Sequence, residues 1–246
     1  MNTVDALIEA RRSGRPVPSV VPADAAAAYA AQAAVAQVFG WFDDHVARHW
    51  KSGGPSRTAL QTHAPLPPAG VWASPARAGA WPLRLRGIEA ELALRLGRDV
   101  DAALAATLDA AAAMALVDAV CVSIEIVESR WAEGLDAPAL AKLADLQSHG
   151  ALVLGAWVPF APRDWSRQTC RLTIGSAAPM EFTGTHSMGD PAWVLPAWLR
   201  HATAGGGIVA AGTVVTTGTW CGLPLAAAGD RVHVAFPGIG EAEVQL

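Results

Sequence analysis

Glu89 and Glu91 lie two residues apart in the stretch LRLRGIEAELALRLGR, residues 83–98, and Glu125 sits in the middle of VCVSIEIV, residues 120–127. In an extended chain, side chains alternate between faces. Ile88, Ala90, Leu92, Leu94 and Leu96 then form one apolar face, and Glu89 and Glu91 stand together on the other. Alone, that pair reads as the solvated face of an amphipathic strand, with Arg95 in the same row. The second stretch is different, because a run of β-branched and small apolar residues suits a strand covered on both faces. An ionised carboxylate buried there without a partner costs roughly several kcal/mol. Glu125 must therefore be protonated, ion-paired or bound to a metal. If the two strands are neighbours, three carboxylates converge and call for a cation. An all-oxygen set suits Mg²⁺ or Mn²⁺, and no His or Cys stands at the spacing zinc prefers.

A fourth group comes from the choice of cations. The chain has only two lysines, Lys51 and Lys142, against 16 arginines. Arginine stays charged at any accessible pH, whereas a desolvated lysine can exchange a proton near neutrality. Lys51 opens WKSGGPSRTALQTHAPLPPA, residues 50–69, whose glycines and prolines read as a loop or lid. The plainer reading of Lys51 is a cation at a helix C-terminus, favoured by the helix dipole.

The GIEAELAL element and the later SIEIVESR block together resemble the fumarylacetoacetate hydrolase superfamily. The likeness is greatest to the branch containing 2-keto-4-pentenoate (2-hydroxypenta-2,4-dienoate) hydratases and 4-oxalocrotonate decarboxylases, and runs from about residue 50 to about residue 222. The resemblance implies an α+β fold, with a mixed β-roll or sandwich core of the fumarylacetoacetase C-terminal type. It implies that Glu89, Glu91 and Glu125 hold a divalent metal, Mg²⁺ or Mn²⁺, and that Lys51 is the active-site lysine. Asp145 and Ser148 match a family stretch of the form A-D-N-x-S-x-G, with Leu146 in place of Asn, and are implied as catalytic residues. Thr217, Gly218 and Thr219 match the closing block and are implied to bind substrate. Gly189, Pro191 and Trp198 match a further family element.

The implied activity is that of a lyase acting on a 2-oxo acid or 2-hydroxydienoate, as hydratase or decarboxylase, through an enolate stabilised by the metal. The Thr-Gly-Thr ending is closer to hydrolase members, so cleavage of a C–C bond in an acylpyruvate is the second reading. A non-catalytic subunit of a hydratase–decarboxylase complex is the third. Whether His149 or His186 takes part stays open.

Around these residues, the chain of 246 residues, 52% hydrophobic, is long enough for one large domain or one with a small appendage. The division expected is a helical N-terminal region with the active-site loop over residues 1–70, then a β-rich metal-binding domain over residues 71–246. Residues 1–15 and 23–49 read as helices, the second capped by Asp24. Residues 101–115 read as an Ala-rich helix, short strands and a hairpin follow from residue 152, and residues 231–236 alternate as a final strand, while the resemblance implies a strand over residues 208–222 whose end reaches the pocket. His45 and His49 lie four apart, a spacing that can bind metal on a helix, but without a third ligand they read as ordinary histidines. Glu128, Ser129 and Arg130 read as polar support for metal ligands. The net charge of −4, with no basic patch, argues against nucleic acid. Apolar runs are too short and too broken by Gly and Pro to span a membrane. Three spaced cysteines and the lack of an N-terminal apolar segment point to a cytoplasmic protein. A positive mean hydropathy of +0.27 hints at a homo-oligomer.

Overall fold

The computed structural model describes residues 1–42 and 46–246. Two helices open the chain, α1 (Thr3–Ser13) and α2 (Ala25–Phe39). Asn2 and Asp24 cap them by accepting from the amides of Asp5 and Ala27, and Gly14 and Gly40 end them in the left-handed conformation. That second stop ends α2 short of the expected residue 49. His49 instead begins a strand, and His45 lies outside the described residues.

The strands are β1 (His49–Gly53), β2 (Thr62–Pro65), β3 (Val71–Ala73), β4 (Ala76–Arg77), β5 (Gly87–Leu96), β6 (Val117–Val127), β7 (His149–Leu154), β8 (Val158–Pro159), β9 (Thr169–Ile174), β10 (Met180–Thr183), β11 (Val214–Thr216), β12 (Arg231–Phe236) and β13 (Gly240–Gln245). They form two mixed sheets. The larger runs β2-β1-β11-β5-β6-β7-β3 with β8 against β6, and the smaller runs β10-β9-β12-β13-β4. The fold is thus α+β, with the sheets packed face to face.

The alternation read from residues 83–98 sets the layers. Ile88, Leu92 and Leu94 of β5, with Val122 and Ile124 of β6, are fully buried against Leu172, Val232, Val234 and Phe236 of the smaller sheet. Each such side chain contributes roughly 1.5–3 kcal/mol, which holds β5 and β6 in place despite the charge on their other face. On that other face Leu66, Ala93, Cys121 and Leu152 form a smaller cluster. The third cluster joins α1 and α2 to α5 (Ala139–Ala144) around the buried Trp131.

Four expectations are corrected. The loop read over residues 50–69 contains β1 and β2: β1 pairs in parallel with the distant β11 and antiparallel with β2. Long-range pairing supplies what a short, Gly- and Pro-dense segment lacks locally. The helix over residues 101–115 is two, α3 (Ala102–Thr107) and α4 (Ala110–Met114), because Leu108 is extended and Asp109 caps a new start by accepting from the amide of Ala112. The run 208–222 is strand only over β11. The strand over Arg231–Phe236 is not the last, since β13 follows and pairs with it. Nine-residue α6 (Leu195–Thr203) buries Leu195, Trp198 and Leu199 against the main core. Among the described residues no helix is long and apolar enough to cross a membrane, and Cys121, Cys170 and Cys221 are free and buried.

Candidate active site

Five adjacent strands bring one side chain each, or two, to the same region of the larger sheet. In the antiparallel β5–β6 pair Glu89 lies directly opposite Glu125, and Glu91 opposite Ser123. One ligand oxygen from each of Glu89, Glu91 and Glu125 falls within 4.8 Å of the others. Lys51 enters from β1, Thr216 from β11 and His149 from β7. The Lys51 Nζ donates to Glu125 Oε1 at 2.5 Å and to the Gln147 carbonyl at 3.1 Å. His149 Nδ1 lies 3.2 Å from the same Glu125 oxygen. Thr216 donates its hydroxyl to Glu91 Oε2, and the Gly218 amide donates to that oxygen at 3.0 Å.

This leaves the donor set incomplete in an informative way. Glu125 Oε1 has two partners, whereas Oε2 is buried and has none among the described residues. A buried carboxylate oxygen without a donor is costly, and here it sits where two more carboxylates converge. The electrostatics agree. Burial, then Glu91, pushes Glu89 well above the ordinary carboxylate range. Burial, then Glu125, pushes Glu91 up to about 7. Burial also acts upward on Glu125, but Lys51 and His149 outweigh it and the net shift is downward. For Lys51, burial acts downward and is outweighed by Glu125, Glu89 and Glu91, so its proton is held more tightly than in water. Three acidic groups share too little positive charge, and a divalent cation on Glu89, Glu91 and Glu125 Oε2 fits the set. A cavity of about 510 Å³ opens beside them, lined among others by Lys51, Ser148, Gly218 and Thr219.

The segment after α5 shapes one wall. Leu146, Gln147 and Ser148 have φ of 52°, 54° and 60°, three consecutive non-glycine residues in the left-handed region. Such residues cost of order 1–3 kcal/mol each and persist only where the surroundings impose them. Asp145 supplies part of that constraint. It is wholly buried, away from the cavity lining, and is held by Arg130 Nε at 2.6 Å and Arg11 at 3.2 Å. Its partners make it an anchor for the turn. The turn aims the Gln147 carbonyl at Lys51 and puts Ser148, whose buried hydroxyl has no partner among the described residues, on the cavity wall. Arg130 is thus bound to Asp145, and Glu128 accepts from the amides of Arg84, Leu85 and Ser129. Neither touches a metal-ligand candidate, which corrects their reading as support for those ligands. They fix the approach to β5 and the end of α5.

The three residues of the closing block separate. Gly218 and Thr219 line the cavity, while Thr217 is buried and donates to the Leu92 carbonyl. Gly218 has φ 106°, a conformation other residues rarely adopt, and this is what turns its amide toward Glu91. His186 stands behind it: Nε2 lies 2.9 Å from the Thr217 carbonyl, and Nδ1 accepts from the Met188 amide. Burial lowers the pKa of both His186 and His149, so each is neutral at pH 7. His149 lies behind Glu125 and outside the cavity lining. Two loops meet at the rim, where Ser187 donates to the Gly54 carbonyl and Arg57 to the Met188 carbonyl. Thr216, Ser123 and Gln147 were not singled out from the sequence. Ser123 shares the parity of Glu125 along β6, a usable signal, while Thr216 and Gln147 carry none.

A family model described as fumarylacetoacetate (FAA) hydrolase C-terminal matches residues 35–246. No curated protein sequence matches the chain. Among solved structures, the chain is similar to 4-oxalocrotonate decarboxylase from Pseudomonas putida G7. The TM-score is 0.79 at 15% identity, over 99% of this chain and 96% of that one, in complexes with calcium and acetate and with magnesium and adipate. It is also similar to 2-hydroxyhepta-2,4-diene-1,7-dioate isomerase from Mycobacterium marinum, with TM-score 0.53 at 16% identity over 81% of this chain and 74% of that one. These likenesses are of fold.

Proposed function

The chain belongs to the fumarylacetoacetate (FAA) hydrolase C-terminal family, and from that premise we propose that it is a divalent-metal-dependent enzyme acting on a 2-oxo acid or a 2-hydroxydienoate, as a hydratase-like lyase or a decarboxylase. The observation that carries the reading is the convergence of Glu89, Glu91 and Glu125, with one oxygen of Glu125 unpartnered, beside Lys51 at the foot of a cavity. When bound, Mg²⁺ or Mn²⁺ would act as a Lewis acid on the 2-oxo acid group and offset the negative charge that develops there.

The chain's own residues account for the rest. Lys51 holds a proton on Nζ at the cavity floor and delivers it to carbon, or takes it back in the reverse direction. Glu125 and the Gln147 carbonyl fix that ammonium from two sides. The Ser148 hydroxyl, unpartnered among the described residues, is the donor offered to the substrate carboxylate, with Gly218 and Thr219 lining the cavity beside it. Asp145 acts through the turn it anchors. His149, neutral and bonded to Glu125, orients that carboxylate. The loop contacts at residues 54, 57, 187 and 188 narrow access of water. Cleavage of an acylpyruvate C–C bond is the second reading, favoured by the Thr-Gly-Thr ending, of which Gly218 and Thr219 line the cavity.

The test is absorbance change with 2-hydroxypenta-2,4-dienoate, 4-oxalocrotonate and acylpyruvates, each with Mg²⁺, Mn²⁺ and chelator. Metal-dependent turnover of one of the first two is expected. Turnover of acylpyruvates alone would assign the hydrolase, and turnover of none would leave a non-catalytic subunit. Lys51→Arg keeps the charge but cannot release a proton, so wild-type activity in that variant would remove Lys51 from proton transfer.

A further inference from the structure

A second cavity, of about 410 Å³, lies among α1, the end of α2, the approach to β5 and the residues after β6. It shares no lining residue with the cavity beside the carboxylates. Four guanidinium groups line it, those of Arg11, Arg15, Arg84 and Arg130. Two carboxylates stand against them among the described residues. Asp145 is held by Arg11 and Arg130, and Glu128 is occupied by the amides of Arg84, Leu85 and Ser129. Anchoring Asp145 accounts for two of the arginines and does not use them up. A guanidinium carries five N–H donors. Arg11 gives Asp145 a bond from Nη2 alone, while its Nε is buried and has no partner among the described residues. A buried N–H without an acceptor is costly. Burial, then the neighbouring Arg130, pulls the pKa of Arg11 down to about 9, so Asp145 does not offset the crowded positive charge.

The rest of the wall is aromatic and apolar: Phe39, Trp41 and Trp81, with Pro82 and Leu83. The Arg11 guanidinium lies over the Trp41 ring, 4.7 Å from its centroid, which sets the charge directly against the aromatic surface. An inorganic anion would engage the guanidinium groups and leave that wall bare. A neutral apolar ligand would leave Arg11 Nε unpaired. A planar acceptor carried on a flat ring answers both. We propose that this second cavity binds a small aromatic carboxylate, with its anionic group at Arg11 and Arg130 and its ring among Phe39, Trp41 and Trp81. The volume is within the range of small-molecule sites, about 300–1,000 Å³. Lys51, Glu89, Glu91 and Glu125 all lie outside this cavity, so it is a site of binding and not of turnover. It meets the other cavity only through Asp145, whose turn carries Gln147 and Ser148 to the opposite wall.

Isothermal calorimetry on the Mg²⁺-loaded protein tests this with 2-naphthoate, with acetate, which lacks the ring, and with 2-naphthamide, which lacks the charge. The wild type is expected to bind one 2-naphthoate per chain, at least about tenfold more tightly than either control, the scale of one charge-assisted hydrogen bond. The affinity should stay within about twofold in chelator, because the two cavities have no lining residue in common. Arg11→Gln should weaken 2-naphthoate at least about tenfold, and Trp41→Ala about fivefold. Trp41 is only half-buried, so its variant carries the test if Arg11→Gln does not fold. No binding of 2-naphthoate, equal binding of the three compounds, or undiminished affinity in a folded variant overturns the proposal. So does binding that disappears in chelator, which would put the acid on the metal instead.

Discussion

Replacing Lys51 with methionine removes the ammonium while keeping most of the apolar stem. In the metal-free protein that ammonium is the ion-pair partner of Glu125 at 2.5 Å, with the carboxylate fully buried and the lysine nearly so. Removing one member of a buried pair costs about 3–5 kcal/mol. In a chain of this size each kcal/mol moves the melting temperature by about 2–4 °C, so the expected drop is roughly 6–20 °C. The size depends on pH, with a definite sign. Without Lys51, burial governs Glu125 and raises its pKa above that in the unfolded chain. A group raised on folding stabilises at low pH, and that contribution is lost as pH rises through the folded value. The deficit is therefore smaller at pH 5, where Glu125 takes up a proton, and larger at pH 8. Thermal unfolding in chelator, followed by circular dichroism at both pH values, measures it. Lys51→Arg should recover much of the loss. Saturating Mn²⁺ should also raise the variant, by about 2.7 kcal/mol at one hundred times its Kd. A metal-free Lys51→Met protein that melts within about 2 °C of the wild type at pH 8 would refute the reasoning, since less than about 1 kcal/mol would then separate them.

Glu125→Gln should lower Mn²⁺ affinity at least about tenfold, the lower end of what even outer contacts contribute; calorimetry showing unchanged affinity would remove Glu125 from the ligand set. Protons compete for the same oxygens, and with Glu91 pushed up to about 7 and Glu89 raised as well, Mn²⁺ affinity should climb as pH rises through about 7 and level off above it. A flat profile between those limits would contradict the shared burial of the carboxylates. Asp145→Asn leaves the guanidinium groups of Arg11 and Arg130 facing each other without their common anion. A loss of about 3–5 kcal/mol in denaturant unfolding is expected, together with a raised KM if turnover persists, because the turn carrying Ser148 loosens.

Much of this site is legible in the amino-acid sequence. The alternation of Ile88, Ala90, Leu92, Leu94 and Leu96 against Glu89 and Glu91 is a property of extended backbone, and β5 carries it unchanged. A glutamate flanked by Ile124 and Ile126 announces a buried charge, because few environments tolerate one. Asp24 and Asp101 accept from amides three residues on, and Gly14 stops a helix by its own left-handed backbone, so local sequence suffices for them. The rarity of lysine was visible too.

What sequence reading could not supply depends on partners far along the chain. Lys51 lies in a strand because β11 pairs with it, more than a hundred and fifty residues on, and no local propensity in WKSGGP specifies that. Asp145 anchors a turn through Arg11, which is 134 residues away. The left-handed run Leu146–Ser148 contains no glycine to signal it, since tertiary contacts impose it against local preference. Residue type and short-range periodicity settled which groups could do chemistry and which face they occupied. Only the pairing of β1, β11, β5, β6 and β7 decided that they meet, because hydrogen bonding between strands is indifferent to their separation in sequence.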